Sequence, residues 1–170
     1  MAITFPDGVD VAGRRNAIWT PTQTLSIAAL AAATSIELIC HLTKGTLGVA
    51  AETERGTDPR ECSTQTYETL GNSTWSVNDL EYVWYPQAAE GDPENKPYET
   101  LKPRTPGFLT LRFGVDYDSD LAAGEKVWQF PITVGEQVPK TPEGNAAEKF
   151  KIIQPVVVTG PILKDQVLVV

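Results

Sequence analysis

The chain has 170 residues, 41% of them hydrophobic and 21% charged, and its 22 acidic side chains against 14 basic ones leave a formal net charge of −8. That length makes one domain with room for its own core, and that composition excludes wholesale disorder. The acidic balance excludes a protein that grips nucleic acid by neutralising phosphates, and one that binds a membrane surface through basic residues. The start, "MAITFPDGVDVAGRRNAIW", has neither the basic beginning nor the apolar centre of a secretion signal, which points to a protein made in the cytoplasm. Ile27 to Ala33 is the longest purely apolar run, far short of a membrane span.

Taken in chain order, strand signals dominate. Ser35 to Thr43 places Ile36, Leu38, Cys40 and Leu42 on one face at period two. Lys44 to Arg60, "KGTLGVAAETERGTDPR", reads as a long loop, and Glu61 to Leu70 as a Thr-rich strand closed by a turn at Gly71 to Thr74. Trp75 and Val77 alternate, as do Leu80, Tyr82 and Trp84 in the opposite phase, with a bulge or short turn at Asn78-Asp79. Pro93 to Lys102 has early acids, a late lysine and Pro103 as a stop, which predicts a helix; the alanine-rich stretch from Thr24 to Ser35 is a weaker one. Phe108 to Val115, Lys126 to Val134, Phe150 to Thr159 and Gln166 to Val170 complete about seven strands, spaced by turns as in a sandwich or barrel. Gly135 to Ala147 is a second long loop.

Lys126 to Val134 and Phe150 to Thr159 carry apolar side chains on both faces, and the chain finishes on Gln166-Val-Leu-Val-Val170 with no polar residue to blunt it. Strands apolar on both faces are buried on both, within the subunit or against another copy. An uncovered Val-rich end is an aggregation hazard.

The catalytic inventory is thin. The one histidine, His41, reads as a solvated strand residue, and Cys40 beside it points to the opposite face, so the two make no dyad. Cys40 and Cys62 read as reduced thiols filling small apolar spaces. Asp116-Tyr-Asp118-Ser-Asp120 opens like a calcium loop, but Leu121 and Val127 stand where glycine and glutamate are needed, so it reads as an acidic turn. No zinc spacing, phosphate loop or dinucleotide fingerprint is present, and neither a metal nor another cofactor is implied. Asn72-Ser73-Thr74 matches a glycosylation acceptor but reads as part of the turn. Trp19, Trp75, Trp84 and Trp128 fit core or interface packing better than sugar stacking.

"NKPYETLKPRTPGFLTLRFGVD", "GEKVWQFPITVG", "TPTQTLSIAALAAATSIELICHLT", "GTDPRECS" and "KIIQPVVVTGP" fall in an order that resembles the major tail (tail tube) proteins of long, non-contractile-tailed bacteriophages, from about Trp19 to Pro161. The resemblance implies a mainly β fold: an antiparallel sandwich or partly closed barrel with one short flanking helix and long loops, as a single domain over 1–170. It implies a non-enzymatic virion subunit, made and assembled in the host cytoplasm. Six copies would form a ring and rings would stack into a tube, in contact with other tail proteins and with no membrane. DNA would pass through on ejection without specific binding. By position, Met1 to Arg15 would be an N-terminal arm and Lys44 to Arg60 a loop to the next ring, with Glu52, Glu54, Arg55, Asp58 and Arg60 as contacts. Glu37, Asp79, Glu81 and Asp116 would line a phosphate-repelling lumen, and Val167 and Val169 a subunit interface. The competing readings are a carbohydrate-binding sandwich that uses its tryptophans, a hydrolase with a paired-carboxylate site, and a tube from a bacterial secretion system.

Overall fold

The computed structural model describes residues 13–62, 64–141, 144 and 148–170. Its elements in chain order are β1 (Arg15–Thr20), α1 (Ile27–Leu30), β2 (Ile36–Glu37), β3 (Val49–Asp58), β4 (Tyr67–Val77), β5 (Leu80–Val83), a 3-10 turn at Pro93–Asn95 running into α2 (Lys96–Thr100), β6 (Pro106–Phe113), β7 (Lys126–Val134), β8 (Val138–Pro139), β9 (Lys151–Gln154), β10 (Val156–Val158) and β11 (Leu163–Val167). The fold is mainly β, with antiparallel sheets stacked as a sandwich and no closed barrel.

The first sheet runs β10-β7-β6-β1-β2, and β11 pairs the other half of the β7 edge. Its inner face is set by register. Trp19 lies opposite Leu109, which lies opposite Phe130; Ala17 lies opposite Leu111, which lies opposite Trp128. Leu80 and Tyr82 from β5 and Ile152 from β9, in the second sheet β5-β9-β8, close onto that face, and all three are fully buried. An aliphatic side chain such as Leu80 or Ile152 taken fully out of water contributes roughly 1.5–3 kcal/mol. Gly107 is glycine for a packing reason: a Cβ there would lie 2.5 Å from Trp19 Cε2, so the indole rests on bare backbone.

The outer face of the first sheet is half covered. Ile18 and Val127 pack with Leu30 of α1 and with Leu168 near the chain end. Buried polar residues continue the face: Asn16, Thr110, Arg112 and Gln129. Gln129 Nε2 donates to Thr24 O (3.0 Å) and Thr110 Oγ1 (3.1 Å). The two-sided burial expected for these strands is thus partly met inside the subunit.

The helix prediction over Pro93 to Lys102 matches the 3-10 turn and α2. Asp92 accepts from the Glu94 N–H, Pro93 sits at the first turn, and the chain leaves at Leu101. The terminal carbonyl of Leu101 accepts from the buried Gln154 (2.8 Å) and from Gln137 (3.1 Å), which satisfies a group that burial would otherwise orphan.

Several expectations are corrected. The strand expected over Ser35 to Thr43 is a strand only at Ile36–Glu37. Beyond Leu38 the chain turns, with Leu42 N–H donating to Leu38 O, and crosses to the second sheet, where Val83 N–H donates to His41 O. Gly71 to Thr74 is no turn but the middle of β4, and Lys44 to Arg60 is no loop, since β3 occupies most of it. Phe150 to Thr159 is two strands broken at Pro155: β9 belongs to the second sheet and β10 to the first. Proline lacks the N–H that a continuous ladder requires. Of the expected arm over 1–15, residues 1–12 lie outside the described residues and Arg15 already belongs to β1. The expected loop over 135–147 holds β8, and residues 142, 143 and 145–147 lie outside the described residues.

Candidate assembly surfaces

β3 and β4 form a two-stranded arm. Its root is tied where Asn78 N–H donates to Gly48 O (2.9 Å), and Val49, Trp75 and Val77 pack into the main core. Outward from the root nearly every residue is exposed on both faces, over a length of roughly 30 Å at the rise of an extended strand. β4 carries one extra residue at Gly71-Asn72 against Glu54, a bulge that divides the arm. By alternation, Glu52, Glu54 and Asp58 share one face with Tyr67, and Arg55 shares the other with Leu70 and Glu68. Leu70 is 77% exposed. Arg55 reaches Glu68 at 3.8 Å and Arg60 pairs with Asp58 at 2.8 Å, both in the open. The five expected contact residues therefore all sit on the arm or at its turn, but on two faces.

At the root, Trp75 stands edge-on to Trp128, with ring centroids 6.0 Å apart, and tilts over Phe130 at 6.3 Å. Lys164 Nζ lies 4.2 Å from the Trp75 centroid and 5.4 Å from that of Trp128. Trp128 Nε1 donates to Asp165 Oδ1 at 3.3 Å. Their strand settings assigned the tryptophans to packing; Lys164 and Asp165 carried no signal of their own.

The chain end is held by backbone. Leu168 N–H donates to Glu125 O, Val169 N–H to Leu25 O, and Ile27 N–H to Val169 O. Leu168 is buried, whereas Val167 and Val169 are 48% and 54% exposed and Val170 is open to solvent. The end is thus docked on one side and presents valines on the other.

The four acids expected in a lumen have different settings. Asp79 is exposed in the turn before β5. Glu37 is exposed and accepts from Asn16 Nδ2 (2.6 Å), and Asp116 pairs with Arg14 at 3.3 Å. Glu81 is mostly buried between Lys151 (2.9 Å) and Lys140 (3.3 Å). Burial works to raise its carboxyl, but hydrogen bonds from Lys151 and Lys140 outweigh it and hold the group below the usual range. The acidic turn is fastened from beneath by Arg112, whose guanidinium donates to Ser119 O and Asp120 O and pairs with Glu125 at 2.9 Å.

His41 sits half-buried in the turn after β2 rather than on a strand, and burial, then Lys96, lower its pKa. Cys40 and Cys62 are exposed free thiols, not fillers of apolar spaces: one stands in the turn after β2, the other in the turn of the arm. Tyr82, buried and hydrogen-bonded to Gln154, is pushed up to about 12 by burial. Among the described residues no group of His, Cys, Asp and Glu is placed to hold a metal, and no helix is long and apolar enough to cross a membrane.

A family model described as phage tail tube protein matches residues 12–170. No curated protein matches the chain significantly in sequence. Among solved structures, the fold is similar to that of a chain in the 6-fold symmetrised cryo-EM structure of the anti-feeding prophage (AFP) baseplate, with a TM-score of 0.55 and 6% identity, over 96% of this chain and 99% of that one. At that identity the likeness is one of fold.

Proposed function

Because the chain belongs to the phage tail tube protein family, we propose that it is a self-assembling subunit of which six copies close into a ring, with rings stacked into a tube that conducts DNA during ejection. The observation that carries this reading is the arm. An isolated two-stranded hairpin is marginal in water, and this one exposes both faces along most of its length. A neighbouring subunit that covers it supplies the second layer it lacks.

In this reading Glu52, Glu54 and Asp58 on one face, Arg55 on the other and Arg60 at the turn meet the next ring, and Val167 and Val169 meet a neighbour within the ring. Glu37, Asp79 and Asp116 face the bore, where negative charge keeps phosphate from adhering. Glu81 adds little there, since two lysines already balance it. Other tail proteins bind the tube at its ends, and assembly takes place in the host cytoplasm. The likeness to long, non-contractile tails rests on the sequence patterns noted above. Trp75 and Trp128 pack edge-on at the arm root and Trp84 against Tyr98, which favours the packing role over the carbohydrate-binding alternative.

Negative-stain electron microscopy and light scattering over a concentration series test the proposal. Rings or hollow tubes growing with concentration are expected. A monomer at every concentration, with and without a tail-initiating complex, would refute it.

A further inference from the structure

β11 pairs β7 out of step. Leu163 lies opposite Gln129 and Gln166 opposite Val127, so Lys164 and Asp165 together face the single residue Trp128. In a regular strand, neighbours point to opposite faces. Here Asp165 adopts a left-handed backbone, with φ of 50°, and both side chains reach the same indole: the carboxylate accepts from its N–H while the ammonium lies toward its ring. Bulges re-aim side chains in this way, and left-handed backbone at a residue other than glycine persists where surrounding contacts hold it. The ammonium's nearer neighbour is not on β7 at all. It is Trp75, on the root of the arm, at 4.2 Å.

The packing around this contact is open. A cavity of about 370 Å³ separates the arm root from the chain entering β11, bordered by Ser73, Thr74, Trp75, Val158, Gly160 and Lys164. Trp75 therefore has open space beside it and is held by the Trp128 and Phe130 rings and by the Lys164 ammonium at the rim of that space.

We propose that Lys164 is a positioning residue that fixes the angle of the β3–β4 arm and couples it to the C-terminal strand. The inference rests on the tube reading only for the arm's purpose; the coupling belongs to the subunit alone. Val167 lies three residues beyond Lys164 on the same strand, so a partner seated on the exposed valines bears on the bulge, and through it on the arm. Filling one surface sets the pose of the other.

Lys164→Met and Lys164→Arg test this on the unassembled subunit by hydrogen exchange. Lys164 is exposed, so the neutral isostere leaves the core intact. The methionine variant is expected to exchange roughly twofold to fivefold faster at residues 49–52 and 74–77, the scale of an exposed cation–π contact, with residues 106–113 unchanged. Arginine, which keeps a cation over the rings, is expected to restore protection and the wild-type tryptophan emission. Unchanged exchange at the root would overturn the proposal, as would a rise spread evenly over the core, or failure of the methionine variant to fold. Assembly is read separately: slower tube growth for methionine and recovery for arginine extend the coupling to the tube. If the wild type never assembles while the exchange difference holds, the coupling stands and the tube reading falls.

Discussion

Val169→Lys separates folding from assembly. The valine is 54% exposed, and its N–H and C=O are engaged by Leu25 and Ile27. A lysine keeps both hydrogen bonds and holds its ammonium in water, so folding stability moves by no more than about 0.5 kcal/mol. At a closed interface the balance differs. Covering the half of the side chain that is still wet contributes about 1 kcal/mol, half the value for full burial. A lysine forfeits that, and desolvating its ammonium costs at least about 1 kcal/mol more even when the side chain bends toward water. A loss of about 2 kcal/mol per contact raises the concentration needed for assembly by roughly 30-fold. Light scattering locates that onset, and a circular-dichroism melt on the same sample checks the fold. Leu168→Ala is the contrast: that side chain is 1% exposed, so truncation costs about 2–5 kcal/mol of folding stability. An unchanged onset for Val169→Lys would remove the chain end from the interface; a collapsed melt would place it in the core.

Two further outcomes follow from the interior. Glu81 has its carboxyl held below the usual range, so its contribution is complete above about pH 4.5 and is lost as pH falls through the lower, folded value. The wild-type melting temperature should therefore drop as pH falls below 4.5, and Glu81→Gln should flatten that drop while lowering stability near neutrality; parallel curves would refute the pairing. Gly107→Ala forces a methyl against the Trp19 indole and should cost about 1–3 kcal/mol in urea titration, with Trp19→Phe recovering part of it; a midpoint shift below about 0.5 kcal/mol would show that the indole moves freely.

β7 was legible residue for residue, because Lys126 to Val134 alternates bulky apolar side chains between clear turns. The turn at Asn78-Asp79 and the helix before Pro103 carried equally local signals. The arm did not. Glu52 to Asp58 is polar on both faces, so it lacks the alternation that marks a half-buried strand, and its pairing with Tyr67–Val77 is a long-range fact. The face shared by Ile36, Leu38, Cys40 and Leu42 misled because an apolar alternation does not reveal that the chain leaves one sheet for the other at Leu38. The grouping of Trp75, Trp128, Lys164 and Asp165 depends on a register shift, which no single-strand pattern encodes.

The crossing at Pro155 has a mechanical side. Two strands change sheets at one corner: the chain passes from β7 to β8 through Gly135, and from β9 to β10 through Pro155. The corner is cross-stitched, since Gly135 N–H donates to Pro155 O (2.7 Å) and Gln154 Nε2 donates to Gly135 O (2.9 Å). Side-by-side straps of opposite chain direction resist sliding of one layer over the other from either sense of pull. A shearing load on the first sheet at this corner therefore has a covalent path to the second, through the backbone at Gly135 and Pro155 as well as through packed side chains.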